Sequence, residues 1–270
     1  MCRHLARVQS GMVAEDMHSF FELMFALARR EWQGRYRRSL LGPLWAVIQP
    51  VAYLAIFIFL RSVINTGTVE GPYTCFVFVA LVPWTFFVTA VAKAAPSVMS
   101  NSGIVKKMPM RKEVFPAAAV LSALADFCLA ALVLGGLMAW YHAELSMGWM
   151  AAWVVPLLFL LVLFALGMGL FFSALGTYKQ DVSYAIPFAM QFWMLATPIM
   201  YPLSSVPARW REWYDLNPMV GVIEGFREAV IYNRAPDVGL LAAALLGTVI
   251  VWAVAWPLFR YMSQYFADVL

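Results

Sequence analysis

Residues 150–175 read MAAWVVPLLFLLVLFALGMGLFFSAL, a run of 26 residues that contains no charged side chain. About 20 consecutive apolar residues in a helix cross a hydrocarbon core about 30 Å thick. The stretch therefore predicts a transmembrane helix. Small residues recur on it at every fourth position, at Ala165, Gly169 and Ser173. That spacing predicts a ridge on which another helix packs closely.

Five further apolar runs give the chain the composition of a multi-pass membrane protein. They cover roughly residues 43–64, 73–92, 114–140, 183–201 and 239–259. Of the 270 residues, 63% are apolar and 13% are charged, whereas soluble domains average about 45–50% and about 25%. This balance excludes a disordered chain, a coiled coil and most soluble enzymes. We predict an all-α membrane protein, a single domain over residues 1–270 with six transmembrane helices.

The basic charge of the chain follows the predicted topology. With the N-terminus in the cytoplasm, fourteen of the 19 Lys and Arg residues fall in cytoplasmic segments, as the positive-inside rule requires. Both termini are then cytoplasmic, and the net charge of +4 does not call for a nucleic-acid partner. No signal peptide is visible, so we expect the first span to direct insertion.

Residues 15–33 predict an amphipathic helix at the membrane interface. The apolar side chains that recur at three- and four-residue steps are Met17, Phe20, Phe21, Met24, Leu27 and Ala28. The stretch is too polar to cross the membrane, and a helix of this kind lies in the interface plane. Packing on a partner protein is the alternative.

Residues 203–232 predict two short helices on the outer side, before the last span. Asn217 and Pro218 suit the N-cap and first position of the second helix. Neither piece is long enough to cross, so we expect both to be re-entrant, dipping into the outer leaflet where protein or a wet cavity surrounds them. Glu224 and Arg227 have i,i+3 spacing, and a solvated salt-bridged face is an equal alternative.

The sequence holds no recognisable catalytic or nucleotide-binding motif. The dipeptide Gly-Lys does not occur, so there is no GxxxxGK[ST] loop, and HExxH and GxSxG do not occur either. The cysteines and histidines are dispersed, which argues against a metal site. Asp126 is the only acid within the predicted spans. No partner for it is evident, and we expect a structural role rather than a proton relay.

Polar and aromatic residues on the first and fifth spans suit the wall of a sugar channel. An unpaired amide costs on the order of several kcal/mol in lipid, so Gln49 and Gln191 should face protein or water. Aromatic rings beside them would stack on the apolar CH face of a sugar. The predicted channel-lining residues are Gln49, Tyr53, Phe57, Tyr184, Gln191, Phe192, Trp193 and Tyr201. Packing and interfacial aromatic belts are the alternative.

Three motifs resemble one family, the ABC-2 permeases that export polysaccharides. Residues 35–50, RYRRSLLGPLWAVIQP, resemble the segment through which those permeases enter the membrane. Residues 181–202, DVSYAIPFAMQFWMLATPIMYP, are similar to the family's fifth span, and residues 216–227, LNPMVGVIEGFR, to its signature before the last span. The resemblance covers about residues 15–265. It is strongest to the O-antigen exporters, with capsule and teichoic-acid exporters as near relatives.

The resemblance implies a transport subunit of the bacterial inner membrane and no enzyme activity in this chain. Two copies would form a channel for a polysaccharide attached to undecaprenyl diphosphate. Two copies of a separate ABC ATPase would bind ATP and Mg, and the permease itself would hold no cofactor. The re-entrant helices would close the channel outside, with Asn217, Pro218, Glu224 and Arg227 as outer-gate residues.

The resemblance also implies two cytoplasmic coupling loops on which the ATPase docks. They correspond to residues 97–113 and 176–181. The predicted coupling residues are Lys106, Lys107, Met108, Arg111, Glu113, Lys179 and Asp181. Arg35, Arg37 and Arg38 precede the first span, and we predict that they contact the carrier's diphosphate. Binding of anionic lipid or a role in topology is an equal alternative.

Each alternative function predicts a different observation. A small-molecule or drug ABC-2 exporter would share the six spans and the external ATPase but would present a closed apolar cleft. A membrane scaffold would tolerate charge reversal in residues 106–112. An intramembrane enzyme would need a converging set of polar residues, which the sequence does not offer.

Overall fold

The structure, a computed structural model, describes residues 2–37, 39–63, 69, 71–107, 110–141 and 147–270, with side chains from residue 18 onward except 147–151 and 267. Within these ranges the chain forms helices and no strand. The α-helices are α1 (Cys2–Tyr36), α2 (Trp45–Val63), α3 (Tyr73–Ala94), α4 (Ser97–Ser100), α5 (Ser102–Val105), α6 (Val114–Trp140), α7 (Met147–Tyr178), α8 (Asp181–Leu195), α9 (Ala208–Asp215), α10 (Pro218–Val230), α11 (Val238–Ser263) and α12 (Phe266–Val269).

Five helical segments of the described chain are long and apolar enough to cross a membrane. They are Gly42–Val63, Tyr73–Ala94, Val114–Trp140, Ala152–Tyr178 and Val238–Ser263. These segments coincide with the first, second, third, fourth and sixth predicted spans. The all-α membrane class is therefore confirmed.

The fifth predicted span, residues 183–201, is only partly helical. Its helix, α8, has 15 residues and a length of about 22 Å, which is short of a core about 30 Å thick. The helix ends at Leu195 and does not continue through Thr197, because the following Pro198 disfavours helical backbone at the residue before it. The chain then turns through a 3-10 segment at Leu203–Ser205. Apolar composition continues past the proline, which is why the sequence suggested a longer element.

Helix α3 lies at the centre of the fold. Helices α2, α6, α7, α8 and α10 all contact it, and most of its side chains are buried. A helix that is apolar on every side is covered either by protein or by lipid, and α3 is covered by protein. Helices α2 and α11 instead bury few of their residues, so they present apolar faces outward.

The predicted ridge of small residues on α7 is confirmed. Ala165 and Ser173 are fully buried, and a Cβ added at Gly169 would lie 2.9 Å from the Cβ of Ala94. The Ser173 hydroxyl lies 3.5 Å from that of Ser97. The ridge therefore brings α7 close against α3 and α4, as small residues allow in membrane bundles.

Helix α1 contains the predicted interface helix, residues 15–33, and extends beyond it at both ends. Leu27 and Ala28 are buried in a core cluster that also includes residues of α6 and α11. Phe21 and Phe25 are exposed. One side of α1 therefore packs on the protein itself, and the other apolar residues face outward.

Helices α9 and α10 occupy the segment in which two short helices were predicted. Asn217 caps α10, since its Oδ1 accepts a hydrogen bond from the Met219 N–H at 3.1 Å, and Pro218 takes the first helical position. A Cβ added at Gly221 would lie 2.3 Å from the carbonyl oxygen of Leu240. Helix α10 therefore lies directly against the start of α11.

Candidate functional site

The residues predicted to line a channel divide into an exposed set and an inward set. The exposed ones are Gln49, Tyr184, Gln191 and Phe192. Phe57 is buried in the core and stacks with Tyr53, with ring centroids 6.3 Å apart. Trp193 and Tyr201 are half-buried. Four of the eight predicted channel-lining side chains are therefore buried or half-buried, while the other four are exposed.

Helix α8 presents a row of exposed rings. Tyr184, Phe188 and Phe192 follow each other at four-residue steps and are 78%, 64% and 58% exposed. The rings of Phe188 and Phe192 meet at 4.7 Å. Sequence reasoning missed Phe188, although its four-residue spacing from both neighbours is the signal that identifies it. The row suits either stacking on a sugar or contact with another chain.

Trp193 anchors α8 to the interior. Its ring contacts those of Trp84, Phe87 and Phe164 at centroid distances between 5.3 and 6.4 Å. Its indole N–H donates to Asn217 Oδ1 at 3.1 Å. The ring predicted to face a channel therefore connects α8 with α3, α7 and the start of α10.

The side-chain amide of Asn217 forms hydrogen bonds with three residues. Besides the cap and the indole contact, its Nδ2 donates to Thr197 Oγ1 at 3.1 Å. The Thr197 hydroxyl donates in turn to the carbonyl of Trp193 at 2.8 Å. The end of α8 and the start of α10 are thus held in one arrangement.

Arg227, predicted for an outer gate, is fully buried. Its Nη1 donates to Glu224 Oε1 at 2.7 Å, its Nη2 to the Ile199 carbonyl at 2.7 Å, and its Nε to the Phe76 carbonyl at 3.4 Å. The guanidinium also lies 3.7 Å from the centroid of the Phe76 ring. A solvated salt-bridged face is therefore wrong for Arg227. The Ile199 N–H donates to the Thr197 carbonyl at 2.7 Å, which connects the two sets of contacts. We therefore call Trp193, Thr197, Asn217, Glu224 and Arg227 the Arg227 cluster.

Asp126 has several partners, which the sequence did not reveal. Its Oδ1 accepts from Trp32 Nε1 at 3.2 Å and from the Tyr36 hydroxyl at 3.0 Å. Its Oδ2 forms ion pairs with Arg35 and, at 3.3 Å, with Lys93 Nζ. We call these five residues the Asp126 cluster. The Asp126 cluster joins α1, α3 and α6. Because its members are far apart in the sequence, no local spacing predicts these contacts.

A cavity of about 370 Å³, here the polar cavity, opens beside the Asp126 cluster. Its polar lining comprises Arg35, Tyr36, Ser39, Gln49, Thr85, Thr89 and Asp126. Burial, with Asp126 as a further cause, raises the pKa of Tyr36 above its usual value. The Tyr36 hydroxyl therefore stays protonated and donates to the carboxylate. This cavity can hold a polar or anionic group.

The predicted coupling residues are mostly available to a partner. The exposed ones are Lys106, Lys107, Arg111, Lys179 and Asp181. Glu113 is instead buried, and its Oε1 accepts from Arg260 Nη1 at 3.4 Å, which joins the loop to the end of α11. Met108 lies outside the described residues.

The three arginines predicted to bind a diphosphate have different environments. Arg35 is half-buried and engaged by Asp126, whereas Arg37 is exposed. Arg38 lies outside the described residues. The sequence pattern treated them as equivalent because it could not show which side chain meets α6.

Comparison with known proteins gives consistent matches over most of the chain. The sequence profile of the ABC-2 type transporter family matches residues 22–231. The chain is similar to the O-antigen export system permease protein RfbA of Myxococcus xanthus, with 27% identity over 95% of this chain and 98% of that protein. It is 24% identical to the protein of the same name from Klebsiella pneumoniae, over 93% of this chain and 95% of that one. It is 25% identical to the polysialic acid transport protein KpsM of Escherichia coli, over 88% and 93%.

Proposed function

Because the chain belongs to the ABC-2 type transporter family, we propose that it is the membrane-spanning subunit of an ATP-driven polysaccharide exporter. O-antigen is the first candidate for the polymer. The observation that carries the proposal is the similarity to the O-antigen export permease of Myxococcus xanthus over 95% of this chain. The three motifs at residues 35–50, 181–202 and 216–227 support the same class.

The proposed subunit crosses the bacterial inner membrane six times, with both termini in the cytoplasm. The distribution of Lys and Arg supports this orientation. Helix α8 and the turn after it form the fifth crossing, and α9 and α10 dip back from the outer side. The burial of α10 against α3, α7 and α11 supports the re-entrant arrangement, since such backbone survives at membrane depth only within protein or beside water.

Two copies of the subunit enclose the proposed channel. The exposed faces of α2 and α8 form its wall, where Gln49 and Gln191 hydrogen-bond sugar hydroxyls and Tyr184 and Phe192 stack on sugar rings. The inward members of the predicted set hold that wall in position. Asn217, Pro218, Glu224 and Arg227 set the outer gate by fixing α10 against the end of α8.

Energy for transport comes from two copies of a separate ABC ATPase, which bind ATP and Mg. The exposed coupling residues of 97–113 and 176–181 are the docking surface. The ion pair of Glu113 with Arg260 connects that surface to α11. A movement of the loop is therefore transmitted to a membrane-spanning helix. Met108 belongs to the same proposed surface.

The polysaccharide travels on undecaprenyl diphosphate in this proposal. The carrier's diphosphate meets the basic segment before the first span, at Arg37 and Arg38, while Arg35, predicted for the same contact, is engaged by Asp126. Charge-assisted hydrogen bonds from guanidinium groups suit such a ligand. Of the two arginines that the structure describes, Arg37 is the more exposed to solvent.

Deletion of the gene tests the proposed function. Surface polysaccharide is followed by antibody labelling of whole cells, and total polymer by gel. We expect polymer to disappear from the surface and lipid-linked polymer to accumulate inside, with recovery when the wild-type gene is returned. Unchanged surface polymer, in cells without a second copy of such a gene, contradicts the assignment and favours a small-molecule exporter.

A capsule-type polymer is the second candidate. The similarity to the polysialic acid transport protein of Escherichia coli favours it. The polymer that accumulates inside the deletion strain decides between the two, because its sugar analysis identifies it as O-antigen or as capsule.

A further inference from the structure

Two cavities adjoin each other at Phe127 of α6, and both also have lining residues on α3. The polar cavity and an apolar cavity of about 380 Å³ share Phe127 as a wall residue. The ring of Phe127 meets that of Phe86 edge to face, with centroids 5.7 Å apart. The groove therefore has a polar end and an apolar end, with a pair of rings between them.

The apolar cavity has the dimensions of a hydrocarbon chain. Its described lining is apolar throughout, and on α6 it follows one helix face from Phe127 through Ala131 and Leu134 to Met138. That distance is about 16 Å along the axis, or roughly half of a hydrocarbon core about 30 Å thick. A cavity of this composition binds a chain rather than water.

The Asp126 cluster carries one surplus positive charge. Arg35 and Lys93 both pair with the single carboxylate of Asp126. On α1, the Glu31 carboxylate interacts with Arg30 and also with Arg35. Arg30 and Glu31 together add no net charge, so the surplus of one positive charge remains. One added negative charge restores balance, and a phosphodiester carries one.

We infer that this groove binds one anionic phospholipid of the bilayer, with one acyl chain in the apolar cavity and its phosphodiester at Arg35, which lines the polar cavity, and at Lys93, which pairs with the lining carboxylate of Asp126. Basic pockets between membrane helices bind anionic head groups in this way, and Arg and Lys give phosphate its strongest hydrogen bonds. A polyprenyl diphosphate fits less well, because its head carries more negative charge and its chain is several times longer than the cavity. The bound lipid ties α1 to α3 and α6, whichever polymer is transported.

The head-group contact is tested with purified protein and phosphatidylglycerol. Native mass spectrometry counts the phosphatidylglycerol molecules retained per protomer, with phosphatidylcholine as the zwitterionic comparison. We expect one retained phosphatidylglycerol on the wild type. The variant Lys93→Gln removes the surplus charge and should weaken retention about fivefold, the contribution of one basic residue near an anionic head group. Arg29→Gln is the matched control and should retain the lipid, because it removes an exposed charge of α1 that neither lines the polar cavity nor pairs with Asp126 among the described contacts.

The chain contact is tested by filling the apolar cavity. Gly135 lines this cavity, and a Cβ added there meets nothing within 4 Å. Gly135→Leu should therefore fold and should displace the acyl chain, with loss of retained phosphatidylglycerol. Gly136→Leu adds the same atoms one residue along, where there is also open space and no part in the cavity lining, and should leave retention unchanged.

Each outcome bears directly on the inferred lipid site. Loss of retention in Lys93→Gln and Gly135→Leu, with both controls intact, supports it. Equal retention in all four variants, or equal retention of phosphatidylcholine by the wild type, overturns it. Displacement of phosphatidylglycerol by an equimolar polyprenyl diphosphate would assign the groove to the carrier instead and would also overturn the phospholipid assignment.

Discussion

The Arg227 cluster and the Asp126 cluster differ in how their charged side chains are paired. Around Arg227, the charge is fully buried, Glu224 balances it, and the backbone carbonyls of Ile199 and Phe76 accept two further hydrogen bonds from the guanidinium. Around Asp126, two cations meet one acid, and a cavity of about 370 Å³ adjoins them. A closed and balanced cluster fixes one arrangement of helices. An open cluster with surplus charge leaves a place for a ligand.

The largest effect is expected from Arg227→Met, which breaks the closed cluster. The variant removes the hydrogen bonds to two carbonyls and leaves Glu224 without its partner. Breaking a buried ion pair from one side costs about 3–5 kcal/mol. We expect a large fall in the thermal unfolding temperature of the protein in detergent, and poor accumulation in the membrane.

The double variant Arg227→Met with Glu224→Gln separates charge from packing. It removes both charges, so we expect it to recover part of the lost stability. Stability of the single variant equal to wild type would mean that the Arg227 cluster does not hold the helices together.

Asp126→Asn should have the next largest effect, because it opens the second cluster further. Loss of charged hydrogen bonds costs about 1.5–3 kcal/mol, and we expect α1 to separate more readily from α6. Arg29 of α1 and Cys128 of α6 line one shallow cavity, so cross-linking of Arg29→Cys to Cys128 reports that separation, with the other cysteines replaced.

The same Asp126→Asn variant distinguishes a ligand site from a structural cluster. It frees both cations, so retention of phosphatidylglycerol should rise while cross-linking falls. Adding Lys93→Gln should return retention toward the wild-type amount. A parallel fall of both quantities would contradict the contrast drawn between the two clusters.

Much of the fold could be predicted from the sequence, because a continuous stretch of apolar residues identifies each membrane helix. Apolar length located five spans, and Asn217 with Pro218 located the start of α10. Within the fifth predicted span, the helix ends at Leu195, which the sequence did not reveal because composition alone does not register how Pro198 ends a helix.

The arrangement of the site was less predictable, because it depends on contacts between distant segments. The ion pair of Arg35 with Asp126 joins residues 91 positions apart, and Lys93 lies just past the predicted end of its span. For Arg227, a solvated face remained an equal alternative to the outer gate, because i,i+3 spacing with Glu224 occurs on solvated helices as well. Its burial follows from the packing of α10 on α3, which no local pattern encodes.

A glycine pair tests the difference in packing between the two regions. Near the closed cluster, Gly221→Ala places a Cβ 2.3 Å from the carbonyl oxygen of Leu240, and overpacking of this kind costs about 1–3 kcal/mol. Gly34 on α1 has nothing within 4 Å of an added Cβ, so Gly34→Ala should be neutral or stabilising by up to about 1 kcal/mol. Thermal unfolding compares the two, and equal effects would show that α10 can move away from α11.

The smallest effect is expected at the edge of the closed cluster, from Asn217→Ala. Loss of a helix cap costs about 1 kcal/mol, and the bonds to Trp193 and Thr197 are lost with it. Asn217→Asp keeps an oxygen that accepts from the Met219 N–H and from the Trp193 indole, and loses only the donor to Thr197. It should therefore lie between the wild type and the alanine variant in thermal unfolding. If Asp is no better than Ala, the donor to Thr197 carries the stability, and the connection between α8 and α10 matters more than the cap.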